Sequence, residues 1–302
     1  MYTPILLLLL CLSNVFALTP VVLLHGVVDS AKSMEELADL IHNHYFDEVY
    51  IHNAEIGNGF WDSFLIPVWE QVDLLWERLN ADPQLVDGFH AVAHSQGTLI
   101  FRGYIEKYND IGPKVISFTS LAGVHGGQFG IPKVLSPYIS EIIAKIPYDP
   151  HVQKAFSFAQ YWKSPYQLER YVNKSLFLSE LDNEKVFNQT YKDNLLSLEF
   201  FLAFWSPMDE VIIPPCSGAF CFFQANSSRI TEPREETKVY VEDLVGVRTL
   251  EKEGRFAEVK VDGFKHNDFR KKMFLPYLKQ YVFPMWFSFD IERDNSLTEA
   301  CK

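Results

Sequence analysis

Apolar positions along this chain follow two alternating rhythms. Val21-Val22-Leu23-Leu24 is a short, continuous, β-branched run that stops at His25-Gly26, the pattern of a parallel strand buried on both faces. Ser33-Met-Glu-Glu36 then reads as a capping box opening a helix with Leu37, Leu40 and Ile41 on one face. Residues 49–51 predict a second strand. Val68, Val72, Leu75, Trp76 and Leu79 recur at helical spacing and predict a long helix. Residues 91–94 predict a strand entering Ser95, residues 96–108 a helix leaving it, and residues 115–121 another strand. The rhythm breaks from about residue 126 to 197, where Phe129, Tyr138, Tyr148, Phe156, Phe158, Tyr161, Trp162, Tyr166, Tyr171 and Phe177 are interleaved with prolines. Pro132, Pro137, Pro147, Pro150 and Pro165 chop that stretch into short helices and turns. Residues 198–204 resume the sheet, 257–261 form a late strand, and 271–282 a closing helix that Pro276 starts or kinks. Alternation of this kind predicts an α/β fold with a mostly parallel, doubly wound sheet. The expected layout is a single domain over 18–302 carrying a helical, lid-like insertion at about 126–197.

Three groups within that frame carry candidate chemistry. Phe89 to Gly97 reads Phe-His-Ala-Val-Ala-His-Ser-Gln-Gly, an apolar run that stops at a serine between small residues. Such a strand-to-helix turn lifts a hydroxyl above the sheet edge, and it requires small residues two before and two after the serine. Ala93 and Gly97 fill those places, although the usual pattern has glycine at the first. A serine hydroxyl becomes a nucleophile when an imidazole takes its proton and a carboxylate fixes that imidazole's tautomer. Asp209 stands in a Pro-initiated turn beyond the resumed strand, and His266 in a loop beyond the last one. Open sheets bind ligands at the carboxyl ends of their strands, so the three can meet at one edge. Taken singly, Asp209 reads as a turn residue and His266 as a solvated loop histidine. The order Ser, Asp, His at successive element ends favours a triad. Glu210 and Asp262 are rival acids, and His125 and His151 rival bases near the insertion. The backbone N–H groups of Val27 and Gln96 are the expected oxyanion donors, with Gly26 permitting close approach. His25 is expected to shape its loop, and His94 to point away from the serine because strand neighbours face opposite sides.

Composition adds a compartment. In a chain of 302 residues, residues 1–17 combine the apolar run 5–10 with Val15-Phe16-Ala17 and read as a signal peptide. That run is too short to span a bilayer, which needs about 20 apolar residues. Asn173-Lys-Ser175, Asn188-Gln-Thr190 and Asn226-Ser-Ser228 are glycosylation sequons, meaningful if the chain enters the secretory pathway. Of four cysteines, Cys11 leaves with the signal and Cys301 is next to last. Cys216 and Cys221 flank a Gly-containing loop and either pair in an oxidising compartment or remain two free thiols. No cysteine spacing suggests a metal site, and no cofactor is called for. The formal net charge of −12 without a basic stripe argues against nucleic acid and against electrostatic attraction to anionic membranes.

Five stretches make the picture more specific: His25-Gly-Val-Val-Asp-Ser30, Ser95-Gln-Gly97 followed by Arg102, Ala155-Phe-Ser-Phe-Ala-Gln-Tyr-Trp162, Pro207-Met-Asp-Glu-Val-Ile-Ile-Pro214 and residues 239–250. Together they resemble the palmitoyl-protein thioesterases. Tyr161-Trp162 and Tyr171-Val-Asn-Lys-Ser-Leu-Phe-Leu178 are most similar to the second, lysosomal branch of that family. The resemblance runs from about residue 19 to 285. It implies an α/β-hydrolase that cleaves long-chain fatty acyl thioesters, on S-acylated proteins or acyl-CoA, in the lysosome or after secretion. Ser95, Asp209 and His266 fall on the family's triad. Thr98 departs from the family's second glycine after Ser-Gln-Gly, and is expected to crowd the nucleophile helix and slow turnover. An oxygen-ester lipase or esterase on the same triad is the alternative, with a non-catalytic lipid-binding protein behind it.

Overall fold

The computed structural model describes residues 18–45, 48–132 and 145–300, with side-chain surroundings as far as 291. The segment read as a signal peptide, Cys11, Pro137, Tyr138 and Cys301 lie outside those residues. Among the described residues there are eight strands: β1 (Val21–Leu24), β2 (Ile51–Ala54), β3 (Phe89–His94), β4 (Val115–Leu121), β5 (Phe200–Trp205), β6 (Phe222–Phe223), β7 (Thr231–Glu232) and β8 (Phe256–Lys260). Six of them make one parallel sheet in the order β2-β1-β3-β4-β5-β8, while β6 and β7 pair separately. The chain starts at β1, steps out to β2, then returns to lay β3 on the other flank of β1. That reversal puts the switch point at the carboxyl ends of β1 and β3, the place where open sheets bind ligands. This order, with the helical excursion between β4 and β5, is the α/β-hydrolase arrangement.

Helices α1 (Glu35–His44), α2 (Asp62–Leu65), α3 (Val68–Asn80) and α4 (Gln96–Tyr108) connect the first four strands. Alternation along the strands divides the core in two. Val22, Leu24, Phe89, Ala91 and Ala93 face α3 and α4 through Val72, Leu75, Phe101 and Tyr104. Val21, Leu23 and Val92 face the opposite layer, packing with Leu37 and Ile41 of α1 and with Phe274, Leu278 and Trp286.

Helix α4 is buried from Gln96 to Glu106, and even Arg102 and Glu106 have no exposed surface. Arg102 Nε donates to Glu106 Oε1 at 2.7 Å, and its Nη2 donates to Asp182 in the excursion between β4 and β5. A buried cation needs such partners, because burial alone costs several kcal/mol per ion. Burial in turn pushes the Glu106 carboxyl up to about 8, against the pull of Arg102.

Several element boundaries differ from the sequence pattern. The second strand starts at Ile51 and runs through His52 and Asn53, polar residues that an edge strand tolerates because one side is open to water. Ser33 caps nothing; a 3₁₀ turn over Ala31–Met34 precedes α1. Leu198 closes a turn after the preceding helix, so β5 starts at Phe200. The closing helix does not stop at 282: after Leu275–Tyr277 it widens to a π turn over Leu278–Val282 and continues as Phe283–Ala300. Pro284 explains the widening, since its ring lacks an N–H and would clash with a carbonyl one turn back.

Candidate functional site

Ser95 sits directly after β3 with φ 56° and ψ −129°, a conformation that costs a non-glycine residue about 1–3 kcal/mol. Its surroundings hold it there. Its N–H donates to Leu121 O at 3.0 Å, and its carbonyl accepts from Thr98 N at 3.0 Å and Thr98 Oγ1 at 2.6 Å. Thr98 therefore ties down the turn rather than crowding it, because its hydroxyl finds a carbonyl that the turn leaves open. Ala93 fits without strain between Leu24 and Ser120 of the neighbouring strands. Gly97 cannot be larger: a Cβ there would lie 2.3 Å from His25 O and 2.9 Å from Leu24 O. The same is true of Gly26, where a Cβ would lie 2.8 Å from Ser95 Cβ. The loop after β1 and the start of α4 thus meet backbone to backbone.

Asp209 lies in the turn after β5, nearly buried. Its Oδ1 accepts from the amides of Val211 at 2.8 Å and Ile212 at 3.0 Å, which leaves Oδ2 for His266 Nδ1 at 2.8 Å. A carboxylate accepts, so Nδ1 carries a proton, and in the neutral ring Nε2 is the nitrogen with the lone pair. His266 opens the 3₁₀ turn His266–Arg270 beyond β8, and its ring lies 4.5 Å from that of His94, the residue before Ser95. No hydrogen bond joins the Ser95 hydroxyl to the His266 ring among the described residues; such bonds often close only once substrate is present.

The rivals are placed elsewhere. Glu210 Oε2 accepts from the His266 backbone N–H at 3.2 Å, so it supports the histidine without touching its ring. Asp262 is solvated beside Lys260. His125 is buried under Phe220 with Nε2 2.8 Å from Ser120 Oγ, and His151 is exposed on the helix Pro150–Ala155. His25 holds its loop: Nδ1 is 2.8 Å from Gly26 O and Nε2 2.6 Å from Glu55.

A supporting layer had no sequence signal. Gln96 Nε2 donates to Ser63 O at 2.7 Å, and Gln96 Oε1 accepts from Ser157 Oγ at 2.9 Å. Gln71 Nε2 converges on the same Ser63 carbonyl at 3.0 Å. These buried polar groups bind the first residue of α4 to α2, α3 and the excursion. Arg270 Nη1 donates to Asp29 Oδ2 at 2.5 Å and Nη2 to Asn267 Oδ1 at 2.6 Å, joining the His266 turn to the loop after β1. Short polar residues and a lone arginine look like surface until the fold brings them together. His94 belongs to this layer too. Alternation along the strand cannot reveal that its ring is occupied by the His266 turn.

Residues 20–266 match the family described as palmitoyl protein thioesterase. The chain belongs to that family. It is a serine hydrolase acting on acyl thioesters. Palmitoyl-protein thioesterase 3 of Dictyostelium discoideum is 40% identical over 252 residues, 83% of this chain and 86% of that protein. Palmitoyl-protein thioesterase 1 of Caenorhabditis elegans is 31% identical over 280 residues, 87% and 93% of the two chains. The human lysosomal thioesterase PPT2 is 30% identical over 257 residues, 82% of each.

Cys216 and Cys221 are joined, with their Cα atoms 5.3 Å apart. Asn173 is exposed after Tyr171, Asn226 is exposed in a turn, and Asn188 caps the helix Gln189–Leu196 through Oδ1. No group of three or more metal-binding side chains gathers among the described residues, and no helix there is long and apolar enough to cross a membrane.

Proposed function

We propose that Ser95 is the nucleophile, His266 the general base and Asp209 its orienting carboxylate, with the N–H groups of Val27 and Gln96 as the oxyanion hole. The observation that carries this reading is the 2.8 Å contact from Asp209 to His266 Nδ1, which leaves Nε2 as the ring's proton acceptor. His266 takes the Ser95 proton as the hydroxyl oxygen attacks the thioester carbonyl. The tetrahedral oxyanion is held by the two amides, then collapses with loss of the thiol and leaves an acyl-serine. Water, deprotonated by the same His266, adds to the acyl carbonyl, and the free fatty acid leaves as Ser95 regains its proton.

The substrate is a long-chain fatty acyl thioester, on an S-acylated protein or peptide or on acyl-CoA. Aromatic side chains of the excursion at about 126–197 form part of the acyl groove, where each buried CH₂ contributes about 0.8 kcal/mol of binding. Residues 1–17 direct the chain, a single domain from residue 18, into the secretory pathway. There Asn173, Asn188 and Asn226 carry glycans and the lysosome is the destination. The names of the vertebrate relatives and the three sequons support that location.

The test is hydrolysis of palmitoyl-CoA, an S-palmitoyl peptide and a matched oxygen ester by the parent and Ser95→Ala proteins. Thioester turnover that disappears with Ser95→Ala, together with fluorophosphonate labelling of the parent alone, is expected. Undiminished turnover by Ser95→Ala would sink the assignment of the nucleophile, and faster oxygen-ester turnover would replace the substrate class.

A further inference from the structure

We infer that His94 is a positioning residue for the general base. It sets where the His266 ring stands relative to Ser95, through a hydrogen bond from its own ring to the His266 backbone. The inference rests on the triad proposed above.

Three observations carry it. His94 Nε2 lies 2.9 Å from the carbonyl oxygen of His266, across 172 residues of sequence. The two rings are in contact at 4.5 Å between centroids, tilted by 53°. His94 is also the last residue of β3, one peptide unit from Ser95, so its Cα is about 3.8 Å from that of the serine. Anything that fixes His94 to the His266 turn therefore fixes the distance between the two reacting groups.

The chemistry of the contact sets the protonation of His94. A carbonyl oxygen accepts only, so Nε2 must carry a proton and donate. Nδ1 has no partner among the described residues. In a neutral ring that nitrogen is an unpaired acceptor, which costs less than the unpaired, charged N–H donor that protonation would bury there. The environment enforces the neutral form, since complete burial holds His94 well below its ordinary titration range, and the charge of Arg270 adds to that. A neutral donor can pin the backbone of the base without placing a cation against its ring.

The rigidity of β3 makes this tie effective. The strand is buried throughout and paired with β1 on one side and β4 on the other. The His266 turn, by contrast, lies in a loop beyond the edge strand β8, which is paired on one side only. Asp209 orients the ring through its side chain, and Glu210 and His94 hold the backbone through its N–H and C=O. A base displaced by about 1 Å loses on the order of a hundredfold in rate.

The experiment compares His94→Gln, His94→Asn and His94→Phe with the parent in the intact chain. Glutamine carries an N–H at the reach of Nε2, asparagine falls short, and phenylalanine keeps the ring but not the donor. kcat and KM for palmitoyl-CoA, fluorophosphonate labelling rate and Tm are measured for each. His94→Gln is expected within about threefold of the parent, while His94→Asn and His94→Phe lose about tenfold or more in kcat and labelling rate at unchanged KM. If His94→Phe fails to fold, the Gln and Asn pair still decides, because the two leave similar space. Equal kcat in those two, or losses that track Tm alone, overturns the positioning role. His266→Ala in the same series separates the failures: an active His266→Ala removes the triad, whereas an inactive one beside a normal His94→Asn removes only this inference.

Discussion

Replacing Asp209 by asparagine tests the electrostatics of the site without disturbing its shape. Asp209 has two separate duties. Oδ1 accepts the amides of Val211 and Ile212 at 2.8 and 3.0 Å, and Oδ2 accepts His266 Nδ1 at 2.8 Å. In Asp209→Asn the carbonyl oxygen keeps the first duty, so the turn survives and stability changes by under about 1 kcal/mol. The amide NH₂ then faces Nδ1, and two donors cannot share one contact. The ring responds by moving its proton from Nδ1 to Nε2, which turns the lone pair away from Ser95. The base is lost while every heavy atom stays in place. Loss of the correct tautomer in a triad of this kind costs about 10⁴ in kcat, or about 5 kcal/mol of transition-state stabilisation. The measurement is single-turnover hydrolysis of palmitoyl-CoA, with KM and Tm alongside. A kcat within tenfold of the parent at unchanged Tm refutes the reasoning, and would move the orienting role to Glu210, whose carboxylate already reaches the His266 backbone.

Three further outcomes follow from the geometry. Gly97→Ala pushes a methyl to 2.3 Å from His25 O, so the loop bearing Val27 must shift; turnover should fall by about a hundredfold while circular dichroism stays native-like, and unchanged kcat would show that the loop yields freely. Glu106 is an acid whose folded-state pKa is raised, to about 8, so the folded state keeps a proton that the unfolded chain has already lost. Its contribution is full below about pH 4 and is lost as pH rises to about 8, at no more than about 1.4 kcal/mol per pH unit. Tm should therefore climb on acidification across that window, and Glu106→Gln should flatten the slope; an identical slope in the variant would locate the effect elsewhere. Cys216→Ser opens a short covalent loop and should lower stability by about 2 kcal/mol in denaturant titration under oxidising conditions, with no difference from the parent once both are reduced.

Much of this molecule could be read from its residues, for identifiable reasons. Buried parallel strands such as Val21–Leu24 and Val115–Leu121 must be apolar throughout, so their composition announces them. The edge strand at Ile51–Ala54 is relieved of that demand and was displaced by its polar members. The candidate residues Ser95, Gly97, Asp209 and His266 stand out in the sequence because a strained turn and an ordered set of element ends leave local marks. The members of the supporting layer, Ser63, Gln71, Ser157 and Arg270, leave none. Each is an ordinary polar residue whose role depends on Gln96 or Asp29, 25 to 241 positions away, a distance that periodicity cannot bridge. Thr98 shows the same limit in reverse: its bulk was visible, but the carbonyl awaiting its hydroxyl was not.

The order in which the sheet is filled has a consequence for biogenesis. β8 and the turn beyond it reach the edge of the sheet last as the chain is synthesised, yet they carry the imidazole that every acyl transfer would require. A nascent chain halted before residue 266 could assemble most of its central strands and still be chemically silent. With His266 as the base proposed above, hydrolytic competence would be a certificate of completion, gained only once the far end of the chain has docked.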